Sequence, residues 1–152
     1  MNPASDEDRD VVIGDKLTEI GQILAGIARG EPDGTYMYAE ADAGWSCAAI
    51  FEDLGDRLLF RAPNDELFEE IRQLWKLFEP ARRWTNMEYQ IVGERFNASF
   101  DYDDLDADDS VTSIDRRQAK ARVLFGDKPI DYSDTGRDQD FIDEHLSDMK
   151  GV

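Results

Sequence analysis

The chain has 152 residues, enough for one domain, and 41% of them are hydrophobic, so it can bury a core. Its 17 basic residues are outnumbered by 35 acidic ones, which gives a formal net charge of −18. A surface of this charge repels nucleic-acid phosphates and anionic membranes, so neither is expected as a direct partner. It favours basic proteins or divalent cations, and a generally acidic host proteome is an alternative cause.

Cysteine content and the N-terminal residues predict a cytoplasmic protein. Cys47 is the only cysteine, so the chain can form neither an internal disulfide nor a zinc site with several thiolates. The first eight residues lack the basic and apolar regions of a signal peptide. No apolar run approaches the roughly 20 residues needed to cross a bilayer.

The first predicted elements are a leader and a helix. Residues 1–8 are polar and are expected to form a flexible leader. Residues 9–29 are expected to form an amphipathic helix, which Gly30 and Pro32 would end. Its apolar stripe has the required spacing of three to four residues and consists of Ile13, Leu17, Ile20, Leu24 and Ile27.

Three short strands are predicted next, at residues 35–42, 45–52 and 57–62. They are separated by turn signals, which is typical of an antiparallel meander. In the first strand, side chains that alternate between the two faces form two sets. These are Tyr36, Tyr38 and Glu40 on one face, and Met37, Ala39 and Ala41 on the other.

A second helix and a hairpin follow. Asn64 is expected to cap the helix, and Pro80 is expected to end it. Its apolar stripe is Leu67, Ile71, Leu74 and Phe78. Alternating apolar residues on both sides of Gly93-Glu94 then predict a β-hairpin.

The remaining sequence predicts a third helix and an extension. Thr112 and Asp115 have the spacing of a capping box, and a short basic helix is expected to follow. Residues 126–152 form a predicted acidic C-terminal extension, with a short helix as one interpretation of its end. The predicted fold is α+β over residues 9–125, in the order α-β-β-β-α-β-β-α. Its helices would pack on an antiparallel sheet of about five strands.

An acidic cluster lies between the hairpin and the third helix. Carboxylates pair bidentately with arginine and attract basic proteins, so the cluster is predicted to bind a partner. A solvated acidic loop is one alternative, and a calcium loop ending at Asp115 is another, although it lacks the usual glycine and bidentate glutamate. Tyr38 and Glu40 are further partner-binding candidates. Simple exposure to solvent would explain polar side chains at these two positions equally well. The cluster consists of Asp101, Asp103, Asp104, Asp106, Asp108 and Asp109.

No catalytic arrangement is predicted. His145 is the only histidine, and Ser46 and Cys47 have no nearby histidine or glycine-rich elbow. No phosphate-binding glycine loop is present either. A non-catalytic protein without a cofactor or metal is therefore expected.

Three stretches resemble the YezG-like family of bacterial immunity proteins. They are Tyr36-Met37-Tyr38-Ala39-Glu40, Trp84-Thr85-Asn86-Met87-Glu88-Tyr89, and Phe100-Asp101-Tyr102-Asp103-Asp104-Leu105 followed by Ser113-Ile114-Asp115-Arg116-Arg117. The third helix departs from the family in having few aromatic residues, and the segment after Gly126 has no family counterpart. The resemblance implies an antitoxin role, in which the protein binds and neutralises a basic toxin domain such as a nuclease. The alternative is an acidic structural or accessory protein, a homodimer for example, that has no toxin partner.

Overall fold

The computed structural model describes residues 6–28, 32–105, 107 and 110–133, which form three α-helices and one sheet. The helices are α1 (Asp6–Ile27), α2 (Asp65–Leu77) and α3 (Ser113–Phe125), with a turn of 3-10 helix at Pro80–Arg82. The strands are β1 (Thr35–Asp42), β2 (Trp45–Asp53), β3 (Leu58–Arg61), β4 (Asn86–Val92), β5 (Arg95–Asp101) and β6 (Ile130–Asp131). No helix in these residues is long and apolar enough to cross a membrane.

The sheet is mixed, with the strand order β5-β4-β1-β2-β3-β6. The α+β class is confirmed, but the sheet has six strands, and β6 runs parallel to β3. The expectation of a purely antiparallel sheet of about five strands was therefore wrong at this edge. A two-residue strand has no periodicity, and β6 is held by tertiary contacts. These include the Leu58 N–H donating to the Pro129 carbonyl at 2.9 Å and an Arg57–Asp131 ion pair at 3.2 Å.

Local signals account for the helix ends. The Asn64 side chain accepts a hydrogen bond from the Leu67 N–H at 2.8 Å, as expected for the cap of α2. Both bonds of the predicted capping box are present at α3, between Thr112 and Asp115. Helix α1 includes residues 6–8 of the expected leader, and β6 lies within the expected extension.

Helices α1 and α2 cover one face of the sheet, here called the α1–α2 face. Its core is apolar, and the predicted stripes of both helices point into it. Helix α1 approaches β4 closely, where the Tyr89 hydroxyl donates to the Leu17 carbonyl at 2.7 Å. Gly21 makes room for that hydroxyl, because a Cβ at this position would collide with it. The sheet contributes Met37, Ala39, Ala41, Ala48, Ile50, Met87, Tyr89 and Ile91 to this face.

Helix α3 covers the central part of the other face, here called the α3 face. The only fully buried residue of α3 is Ala121, and Phe125 is half-buried against Tyr36. This second core is smaller than the first and richer in aromatic rings. The sheet contributes Tyr36, Tyr38, Ala49, Phe51, Leu58 and Phe60.

Candidate functional site

A buried ion pair joins α3 to the middle of the sheet. The alternation of β1 directs Glu40 to the α3 face, and the capping box starts α3 so that Arg116 lies in its first turn. The Arg116 guanidinium donates two hydrogen bonds to the Glu40 carboxylate, from Nε to Oε2 at 2.5 Å and from Nη2 to Oε1 at 2.9 Å. The Glu40 side chain has 0% exposure. Such a bidentate pair stabilises a buried carboxylate that would otherwise be costly to desolvate.

Two neighbours complete the surroundings of Glu40. The Tyr38 hydroxyl donates to its Oε2 at 2.6 Å, and the Cys47 thiol lies 3.8 Å from its Oε1. Burial, together with the hydrogen bond to Glu40, raises the pKa of Tyr38 well above its usual value. Burial and the charge of Glu40 raise the pKa of the Cys47 thiol to about 11. At neutral pH both groups stay protonated, so the thiol is a poor nucleophile.

Tyr38 and Glu40 are therefore buried, whereas the sequence analysis expected both side chains to be exposed. Both interpretations of this pair assumed exposed side chains, and that assumption is wrong, because α3 covers them. The sequence held one usable signal, the match between an isolated glutamate on a strand and a basic helix. Periodicity could not predict that the helix would lie over that face.

A second polar link lies farther along α3. The Tyr36 hydroxyl donates to Glu88 Oε1 at 2.6 Å, and the Lys120 ammonium lies 4.0 Å from the other oxygen of the same carboxylate. The Arg117 guanidinium stacks over the Phe60 ring at 5.1 Å. The basic residues of α3 that sequence reasoning left unassigned therefore largely face the sheet.

The candidate partner-binding residues that stay accessible lie at one end of the sheet, where β1 and β5 both finish. Thr85 joins these strand ends, since its N–H donates to the Asp101 carbonyl at 2.9 Å and its carbonyl accepts from the Ala41 N–H at 3.1 Å. We call this surface the acidic end. It consists of Asp42, Asp101, Asp103 and Asp104, with Trp45 and Tyr102 beside them.

The acidic end has a defined backbone. The Asp103 N–H donates to Asp101 Oδ1 at 2.9 Å, and the Thr85 hydroxyl donates to the Asp103 carbonyl at 2.7 Å. Asp103 and Asp104 are exposed, while Asp101 is half-buried. Tyr102 is 57% exposed and Trp45 is 44% exposed. The site thus combines exposed carboxylates on a hydrogen-bonded backbone with accessible aromatic rings.

The calcium interpretation depends on the rest of the predicted acidic cluster and on Asp115. Asp106, Asp108 and Asp109 lie outside the described residues, as does His145. The Asp115 carboxylate accepts the Thr112 N–H at 3.0 Å in the capping box. That bond lowers the pKa of Asp115. Within the described part of the chain, no group of three or more histidine, cysteine or acidic side chains could hold a metal ion.

Part of the positive charge is neutralised within the molecule. At least seven basic side chains form ion pairs with acidic ones. Examples are Arg61 with Glu52 at 2.8 Å and Lys128 with Asp53 at 2.8 Å. Acidic residues outnumber basic ones by 18, so the carboxylates left over dominate the surface potential.

Comparisons with known proteins do not identify the chain: no family model matches it, and no match is found among curated proteins. The resemblance to the YezG-like family therefore stays an expectation.

Proposed function

We propose that this protein is a non-catalytic, cytoplasmic binding module of the immunity type. In this proposal it binds a basic toxin domain, such as a nuclease, and neutralises it. A nuclease must hold an anionic backbone, so its cleft is basic. An acidic protein can occupy that cleft, or block it from one side, without chemistry of its own.

The acidic end is the observation that carries the proposal. Asp103 and Asp104 are exposed on a backbone held by Thr85 and Asp101. A backbone that is already held in place loses little conformational freedom when its carboxylates pair with arginine, which favours affinity. The surplus negative charge of the whole chain would also accelerate the encounter with a basic partner.

The two accessible aromatic residues support protein binding over simple solubility. Tyrosine and tryptophan are enriched among the residues that contribute most to binding energy. Trp45 and Tyr102 are large, partly exposed and close to strand termini at the same end of the sheet. A solvated acidic loop would not need them.

The experiment starts with capture of partners from the native host by the tagged protein, washed at low and high salt. A single basic partner with a nuclease-like domain would support the proposal. Its affinity is then compared between the wild type and a variant with Asp103→Lys and Asp104→Lys. We expect a loss of about 10-fold or more, equivalent to about 1.4 kcal/mol, and a weaker dependence on salt.

The matched control changes the same number of charges on the exposed side of α1, with Asp10→Lys and Asp15→Lys. It separates a local contact from the effect of net charge. An equal loss in both variants would remove the acidic end from the interface. The absence of any basic partner under conditions where candidate toxins are expressed would overturn the immunity proposal.

A further inference from the structure

Strand β5 is an open edge of the sheet. All seven of its residues, from Arg95 to Asp101, pair with β4, and no described residue pairs with its other side. The opposite edge is β6, which has only two residues. An open edge carries a row of unused N–H and C=O groups that can pair with another strand.

This edge lacks the usual protection against pairing. Natural edge strands carry proline, lysine or bulges that prevent association. Here the five residues from Phe96 to Phe100 contain no charge and no proline, in a chain where 34% of residues are charged. Each residue of β5 has one partner on β4, so β5 itself has no extra, bulged residue. Phe96 is 37% exposed and stacks on Tyr89, with ring centroids 5.0 Å apart.

The hairpin register shows which backbone groups are available. Gly93, with φ of 63°, and Glu94 form a two-residue turn between Val92 and Arg95. The residues flanking such a turn form a hydrogen-bonded pair, and bonding then alternates along the strands. The inward groups belong to Arg95, Asn97, Ser99 and Asp101. The outward groups belong to Phe96, Ala98 and Phe100.

We infer that a second copy of this chain pairs with this edge and extends the sheet across a two-fold axis. In an antiparallel pair of β5 strands centred on Ala98, each outward residue of one copy would face an outward residue of the other copy, so their backbone N–H and C=O groups could pair. Ala98 would meet Ala98 of the second copy, and Phe96 would meet Phe100. This register also brings Arg95 opposite Asp101 twice, once on each side of the axis.

The charges on β5 favour pairing with a second copy of the chain over pairing with a basic partner. The seven residues of β5 include one positive and one negative side chain, at the two ends of the strand, so the strand itself has no net charge. Such an arrangement is self-complementary in an isologous, antiparallel pair. A basic extended segment would gain nothing from Arg95. The inference goes beyond the proposed function and does not require a toxin.

Long-range repulsion opposes the dimer, because each copy has a formal net charge of −18. Salt screens that repulsion with a Debye length of about 8 Å at physiological ionic strength. Dimerisation should therefore strengthen as salt rises from a low level to a physiological one. A dimer held mainly by contacts between opposite charges would weaken instead.

The test is sedimentation of the full chain over a range of concentrations at low and physiological salt. We expect a species of twice the 17.3 kDa chain mass. Ala98→Pro removes a central outward N–H without removing a bond to β4, which edge strands tolerate. This variant should raise the dissociation constant at least 10-fold, while circular dichroism confirms that it stays folded.

Reversal of the charges at Arg95 and Asp101 provides a second, independent test of the dimer. Arg95→Asp alone and Asp101→Arg alone place like charges opposite each other, so each variant should dimerise poorly. An equal mixture of the two restores both opposite-charge pairs, so it should dimerise more strongly than either variant alone. This test remains decisive if Ala98→Pro fails to fold.

Either of two results would overturn the inference. One is a wild-type monomer at all concentrations and both salt levels. The other is a dimer that neither Ala98→Pro nor the charge variants weaken. Both measurements use the isolated protein, so their failure is distinguishable from the failure of toxin binding.

Discussion

The two faces of the sheet are held by different physical means. The α1–α2 face is an apolar core in which two helix stripes pack against strand residues that are mostly small or aliphatic. The α3 face has one fully buried helix residue, Ala121, and depends on the Glu40–Arg116 pair and on aromatic contacts. Hydrophobic burial is non-directional, whereas a bidentate ion pair requires one geometry. The first face therefore supplies stability, and the second determines where α3 lies.

The largest expected effect comes from removing one partner of the buried pair. Arg116→Met should cost about 3–5 kcal/mol, because it leaves the Glu40 carboxylate buried without a cation. Adding Glu40→Gln should recover at least half of this loss. No buried charge then remains, and the amide oxygen still accepts the Tyr38 hydroxyl. Urea unfolding of the single and double variants measures the difference. A double variant as unstable as Arg116→Met would show that α3 is held by something else.

The α1–α2 face gives a matched pair of glycine variants within α1. Gly21→Ala should destabilise the protein by about 1–3 kcal/mol, because the new methyl group overpacks against the Tyr89 hydroxyl. Gly26→Ala meets no atom within 4 Å and should stabilise the helix by about 0.5–1 kcal/mol. Thermal unfolding of both variants checks the sign. A stabilising Gly21→Ala would mean that the approach of α1 to β4 is looser than described.

The capping box of α3 should have a smaller effect, and one that depends on pH. Thr112→Ala should cost about 0.5–2 kcal/mol. The Thr112 N–H lowers the pKa of Asp115 below its ordinary value of 3.8. A lowered folded pKa adds stability above pH 3.8, and this stability is lost as pH falls through the folded pKa. Asp115→Asn should therefore lose part of the destabilisation that the wild type shows as pH falls below 3.8, as measured by urea unfolding at each pH. Unchanged acid sensitivity would argue against the cap.

The alkylation rate of Cys47 measures the surroundings of Glu40 on the α3 face, and it requires no change of the wild-type sequence. A thiol with a pKa of about 11 is ionised roughly 100-fold less at pH 8 than one with a pKa near 9. Alkylation by iodoacetamide at pH 8 should be slower by a similar factor in the folded protein than in urea. Glu40→Gln, which removes the charge that helps to raise the pKa of the thiol, should accelerate the alkylation. Equal rates in the folded and unfolded protein would contradict the half-buried position of the thiol.

Local chemistry explains which elements could be predicted. The caps at Asn64 and Thr112, the turn at Gly93-Glu94 and the alternation of β1 depend on neighbours within a few residues. The candidate site was harder to predict. Asp103 and Asp104 are exposed as expected for a partner-binding loop, but Glu40 and Tyr38 are not. Their burial depends on Arg116, which lies 76 residues from Glu40 in the chain.

The sequence by itself determined the α+β class, the helix caps and the apolar stripes of α1 and α2, because helices and strands impose short, regular spacings on their buried residues. Only the tertiary structure decided that β6 joins β3 in parallel and that α3 covers Glu40. It alone also left β5 as the open edge. These outcomes depend on contacts between residues far apart in the chain, whose energies no local spacing encodes.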